Sequence, residues 1–188
     1  FGNLTLNDNT TLTFPSGVIN VSGDLQIGSS GILNSNNGTL TLNGATSTNF
    51  SGGGKTYRNI TLNKTVSSDV TLTSGVNLTG LLTVTSNGSD FASNGNLTLI
   101  SNASGTASIA QLLAGRTVSG DVVAQRYIAA KGRAYRDISA PVLNPTVQQL
   151  IQSGVTITGP FTGTSFPCAG CGTNNPSMYF YDETVAGL

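Results

Sequence analysis

Apolar and polar residues alternate with period two in a five-residue unit, Gly-x-Leu-x-Leu, that returns along the first 124 residues. It reads Gly2-Asn3-Leu4-Thr5-Leu6, then Gly23-Asp24-Leu25-Gln26-Ile27 and Gly38-Thr39-Leu40-Thr41-Leu42. Arg58-Asn59-Ile60-Thr61-Leu62 is a variant, followed by Gly80-Leu81-Leu82-Thr83-Val84 and Gly95-Asn96-Leu97-Thr98-Leu99. A weaker copy is Gly120-Asp121-Val122-Val123-Ala124. Period-two alternation is strand chemistry, because successive side chains leave opposite faces of an extended chain. Unit starts recur at intervals of roughly 15–25 residues, the size of one coil of a solenoid.

A longer interval is superimposed. Gly23 matches Gly80 and Gly38 matches Gly95, each about 57 residues on, which reads as a duplicated block of three coils. Further strand-like segments are Thr11–Phe14, Val18–Val21, Gly31–Leu33, Val70–Thr73 and Phe91–Ala92. No helical periodicity separates them. The expected fold is all-β: a parallel β-helix of six to seven coils over residues 1–124, with coils about 4.8 Å apart. Its inner stack would be Leu4/Leu6, Leu25/Ile27, Leu40/Leu42, Ile60/Leu62, Leu82/Val84 and Leu97/Leu99. Gly and Asn at the corners would supply positive φ. An antiparallel β-sandwich is the rival. It accounts for the strands and not for the duplicated block.

The pattern changes near residue 124. Residues 125–188 read as a small β-rich module, possessing one short helix. Asn144 is its N-cap, Pro145 its first residue and Gly154 its C-terminal stop. Strands are expected at Val155–Thr158 and Ser177–Tyr181.

Composition narrows the function. Charged residues make up 9% of the chain and the net charge is zero, so there is no electrostatic footprint for nucleic acid. No apolar run approaches the roughly 18 residues of a membrane-spanning helix. The chain opens inside a repeat unit rather than at a Met, and is expected to be an excised piece or a processed product.

The Asn-Leu-Thr-Leu coils resemble the low-complexity β-helical repeats of large cell-surface, adhesin-like proteins of Bacteroidetes. Gln125-Arg126-Tyr127-Ile128, Ser139-Ala140-Pro141-Val142 and Tyr179-Phe180-Tyr181-Asp182-Glu183 resemble the module that follows such repeats. The resemblance implies an exported extracellular or surface protein, often carried by the type IX route. It implies other domains of a longer surface protein as partners, and supplies no catalytic residues.

Each candidate site has a plainer structural reading beside it. The outward positions Thr5, Thr41, Thr61, Thr83 and Thr98 form a possible glycan-contact stripe; β-branched Thr also simply suits an exposed strand. An ice-ordering array would need two matched Thr columns, and the flanking positions are mixed. Polysaccharide lyases and hydrolases need clustered carboxylates. Here seven Asp and one Glu are scattered, and an isolated corner Asp usually bonds its own turn. Asp24 and Asp121 share a unit position in units far apart along the chain. Cys168-Ala-Gly-Cys171 lacks the further ligands of a metal site. A local disulfide, free thiols and a redox pair all remain open. Arg126, Lys131, Arg133 and Arg136 form a possible basic contact cluster, or the solvated face of a strand pair. Eleven Asn-x-Ser/Thr sequons follow from composition.

No cofactor, metal or catalytic group is expected. The leading reading is a non-catalytic structural and adhesive stalk. A carbohydrate-binding or carbohydrate-cleaving β-helix is the alternative, and a self-assembling filament subunit the third. An aromatic or carboxylate cluster on one outer face would separate the first two, the stack aromatics being Phe14, Phe50, Tyr57 and Phe91.

Overall fold

The computed structural model describes residues 1–65, 67–86 and 88–129. These residues are all β and wind into a solenoid of about six turns. Coil 1 carries β1 (Leu4–Leu6), β2 (Thr11–Thr13) and β3 (Val18–Val21). Coil 2 carries β4 (Leu25–Ile27), β5 (Ile32–Asn34) and β6 (Thr39–Leu42). Coil 3 has the long β7 (Thr48–Tyr57) and β8 (Asn59–Leu62), and coil 4 has β9 (Val70–Leu78) and β10 (Leu81–Val84). Coil 5 holds β11 (Asp90–Ala92), β12 (Leu97–Leu99), the hairpin β13 (Ser101–Asn102) and β14 (Gly105–Thr106), and β15 (Ser108–Ile109). Coil 6 begins with β16 (Thr117–Ser119) and β17 (Val122–Ala124). Every pairing is parallel except the β13–β14 hairpin.

The register sorts the strands into three faces. On the first, Leu4, Leu25, Phe50 and Leu72 stack through successive coils, with Val70, Phe91 and Val118 beside them. On the second, Leu12 lies under Leu33; higher up, Lys55, Val76, Leu97 and Val122 form one column and Tyr57, Leu78, Leu99 and Ala124 another. The third face is the most regular: Ile19, Leu40, Ile60, Leu82 and Ile109 in one column, Val21, Leu42, Leu62 and Val84 in the next. β7 and β9 turn the corner between the first two faces without a break in strand, with register shifts in β7 between Phe50 and Lys55.

Alternation decides which side chains enter. Leu25, Leu40, Leu42, Ile60, Leu62, Leu72, Leu78 and Leu82 are fully buried, as are Phe14, Phe50, Tyr57 and Phe91. At about 1.5–3 kcal/mol for each large apolar side chain removed from water, these columns are the main source of stability. Tyr57 sits at their centre, edge-on to Phe50 at 5.3 Å and 6.5 Å from Phe14.

Two sequence expectations change, and a third holds with two glycines serving another purpose. The Gly-x-Leu-x-Leu units do not share one inner column: those at Leu4 and Leu25 lie on the first face, those at Leu40, Ile60 and Leu82 on the third, and those at Leu97 and Val122 on the second. The 15-residue step from Leu25 to Leu40 is therefore a walk within one coil. The coil itself is the 20–22-residue step seen from Val18 to Thr39, Thr39 to Asn59 and Ile60 to Leu82. Nor is the 57-residue interval three coils, since it carries Leu25 on the first face to Leu82 on the third, and the third coil above Leu4 is reached only at Leu72. Finally, the unit glycines at 38 and 80 do not have positive φ. They are glycines because the adjoining coil is too close. A Cβ at Gly38 would lie 2.3 Å from the Pro15 carbonyl oxygen, and one at Gly80 2.3 Å from that of Arg58. Positive φ is supplied, as expected, by Asn and Gly: Asn9, Asn36, Asn37 and Asn94, and other glycines, Gly95 among them.

Among the described residues the strand ladder reaches Ala124, and three further hydrogen bonds tie the chain to coil 5: Gln125 N–H to the Leu99 carbonyl, Ser101 N–H to Gln125 Oε1 and Tyr127 N–H to Ser101 Oγ. The helix expected at 144–154, the strands expected at 155–158 and 177–181, and nearly all of the second module lie outside the described residues.

Candidate functional site

Two polar assemblies stand out in a chain with few charges. The first is built around Lys64, just past the end of β8. Lys64 is 5% exposed. Its Nζ donates to the carbonyl oxygens of Asn43 and Thr46, each at 2.8 Å, and to Thr48 Oγ1 at 2.6 Å. All three ammonium hydrogens thus have acceptors, which a buried cation requires. Thr48, itself buried, passes its hydroxyl hydrogen to the Gly23 carbonyl at 3.1 Å. Burial pushes the ammonium below its ordinary value, an effect the Asp24 carboxylate partly offsets. The cradle ties the loop leading from coil 2 into coil 3 to the exit of β8.

The second assembly is a ladder of side chains at the coil corners. Asn3 Oδ1 accepts the Asp24 N–H at 2.9 Å, and Asp24 Oδ1 accepts the Asn49 N–H at 2.8 Å. Higher up, Ser47 Oγ accepts the Asp69 N–H at 3.2 Å, and Asp69 Oδ1 accepts the Asp90 N–H at 2.9 Å. Asp90 in turn accepts the Ser119 hydroxyl. Asp8 Oδ1 likewise takes the Ser30 N–H at 2.8 Å. These carboxylates were expected to bond their own turns. They bond the next coil instead, because a coil corner leaves an N–H pointing along the stack with no strand partner.

The sequence-derived candidates distribute as follows. Thr41, Thr61 and Thr83 form one outward column of the third face with Asn20, but Thr41 is 8% exposed. Thr5 belongs to the first face, beside Gln26, and Thr98 to the second, beside Asn77 and Val123. The structure therefore joins three of the five Thr. Asp24 and Asp121 precede strands of different faces, so they do not share a column. The four aromatics Phe14, Phe50, Tyr57 and Phe91 are all in the core. Arg126 is exposed after β17. Lys131, Arg133, Arg136, Cys168 and Cys171 lie outside the described residues.

Among the described residues no three His, Cys, Asp or Glu side chains gather as a metal site would require. Lys64 was not singled out by its sequence. Its signal is slight: a cation directly after an Ile-Thr-Leu-Asn strand in a chain only 9% charged. Comparison with protein-family models, with curated proteins and with solved structures finds no match to this chain.

Proposed function

We propose that this chain is a structural and adhesive module of an exported cell-surface protein, a non-catalytic β-solenoid spacer that carries other domains of a longer polypeptide. The observation that supports this most is how its functional-group chemistry is employed. The stack aromatics Phe14, Phe50, Tyr57 and Phe91 are packed in the core, and the exposed Phe1 and Tyr127 lie at opposite ends of the described residues. Asp8, Asp24, Asp69 and Asp90 accept hydrogen bonds from neighbouring coils. Parallel in-register columns with such corner bonds resist extension along the stack through many small contacts in parallel. The resemblance to Bacteroidetes surface repeats is what suggests export.

Proteinase shaving of intact source cells, read by mass spectrometry, tests location. Peptides from residues 1–129 should be released before lysis, and their release only after lysis would refute a surface location. Incubating the purified chain with a panel of neutral and anionic polysaccharides tests the absence of catalysis. New reducing ends or unsaturated products would move the reading to a polysaccharide-cleaving β-helix.

A further inference from the structure

The three faces are not equally continuous. From coil 1 to coil 2 all three pair, as β1 with β4, β2 with β5 and β3 with β6. From coil 3 to coil 4, β7 pairs with β9 over the first two faces and β8 with β10 on the third. Between coils 2 and 3 the second face lapses. Among the described residues β5 pairs with β2 alone, and the Lys55–Tyr57 half of β7 pairs only upward, with β9. On the first face only Leu25–Phe50 and Gln26–Ser51 remain in register before the strand shifts. The third face alone crosses the junction intact.

One lysine occupies the place of the missing ladder, and a second braces the corner between the third and first faces. Lys55 holds the column position that Val76, Leu97 and Val122 fill above it. Its Nζ reaches down to the Ser29 carbonyl of coil 2 at 2.6 Å. Lys64 gathers the connecting loop through Asn43 and Thr46. Ile32, at the unpaired edge, is 56% exposed.

We propose that the junction of coils 2 and 3 is a built-in joint, clipped shut by Lys55 and Lys64, at which coils 1 and 2 detach together from coils 3–6. Backbone ladders open cooperatively, whereas a few side-chain bonds open locally. The joint follows from the stack alone and does not depend on where the protein resides.

Native-state hydrogen exchange on the full chain, read by mass spectrometry, tests it. Peptides covering β1–β3 and β4–β6 should exchange at one common rate, roughly tenfold or more faster than those covering β8 and β10. Fraying from the end predicts a gradient instead, with coil 1 fastest and coil 2 intermediate. Such a gradient, or one rate throughout, overturns the joint. Lys55→Met, at a half-buried position, should raise the common rate of coils 1 and 2 roughly two- to fivefold while leaving β10 and β12 unchanged. An unchanged rate in coils 1 and 2 overturns the clip.

Discussion

The step from coil 2 to coil 3 and the step from coil 3 to coil 4 solve one problem by different means. Above coil 3 the contact is made by backbone. β7 and β9 run side by side from Thr48–Val70 to Tyr57–Leu78, and Gly53 N–H and Ser51 Oγ both meet Ser74 Oγ at 2.9 Å. Below coil 3 the backbone contact is partial and lysines complete it. A backbone contact is short and tolerates no added volume. A lysine contact hangs on one flexible side chain and fails when that donor is removed. The two junctions should therefore break under different substitutions.

The largest effect is expected from crowding the upper junction. A Cβ at Gly52 would lie 2.3 Å from Val76 Cγ2 and 2.5 Å from the Gly75 carbonyl oxygen. Gly52→Val should destabilise by about 3 kcal/mol or more in urea unfolding, at the upper end of overpacking. A loss below about 1 kcal/mol would mean that the coils are not in such close contact.

Next comes charge removal at the lower junction. Lys64→Met leaves two part-buried carbonyls and the buried Thr48 hydroxyl without their donor, at a cost of about 1–3 kcal/mol by the same measurement. An unchanged midpoint would show the cradle to be idle.

Alkaline titration sharpens the contrast. Lys64 is held below its ordinary 10.5, so the native state releases its proton before the unfolded chain does. Its contribution should therefore rise with pH from that lowered value up to about 10.5, and Lys64→Met should lack the rise. Tyr57 runs the other way. Burial pushes its hydroxyl up, so the unfolded chain ionises first and stability falls as pH passes about 10. Tyr57→Phe should abolish that fall; its persistence would place the alkaline sensitivity elsewhere.

Corner bonds should matter less. Asp24→Ala deprives the Asn49 N–H of its acceptor and should cost about 0.5–1.5 kcal/mol, while Asp24→Asn, which keeps an acceptor, should cost less. Equal losses would assign the effect to charge. Smallest is Thr61→Val on the outward third face, expected within about 0.5 kcal/mol of wild type.

The strands were legible in the sequence because alternation is a local signal: Leu25-Gln26-Ile27 and Leu40-Thr41-Leu42 announce themselves by side-chain order alone. Their faces were not. The two segments look alike, yet one lies on the first face and the other on the third. The face depends on how many residues turn each corner, which no local pattern records. The buried Lys64 was hidden for a related reason, since its acceptors are two loop carbonyls and a strand hydroxyl lying 16–21 residues earlier. The corner Asp residues were correctly seen as hydrogen-bond acceptors, but the donors they serve are one coil away.

Coil 5 shows what this construction permits. The β13–β14 hairpin lengthens the third-face step from Leu82 to Ile109, yet Ile109 still lies in register over Leu82. Sideways growth and vertical order are thus separable. A peptide grafted between Asn102 and Gly105 would be displayed at a set height on the stack, and several grafts at successive corners would stand as evenly spaced marks on a ruler.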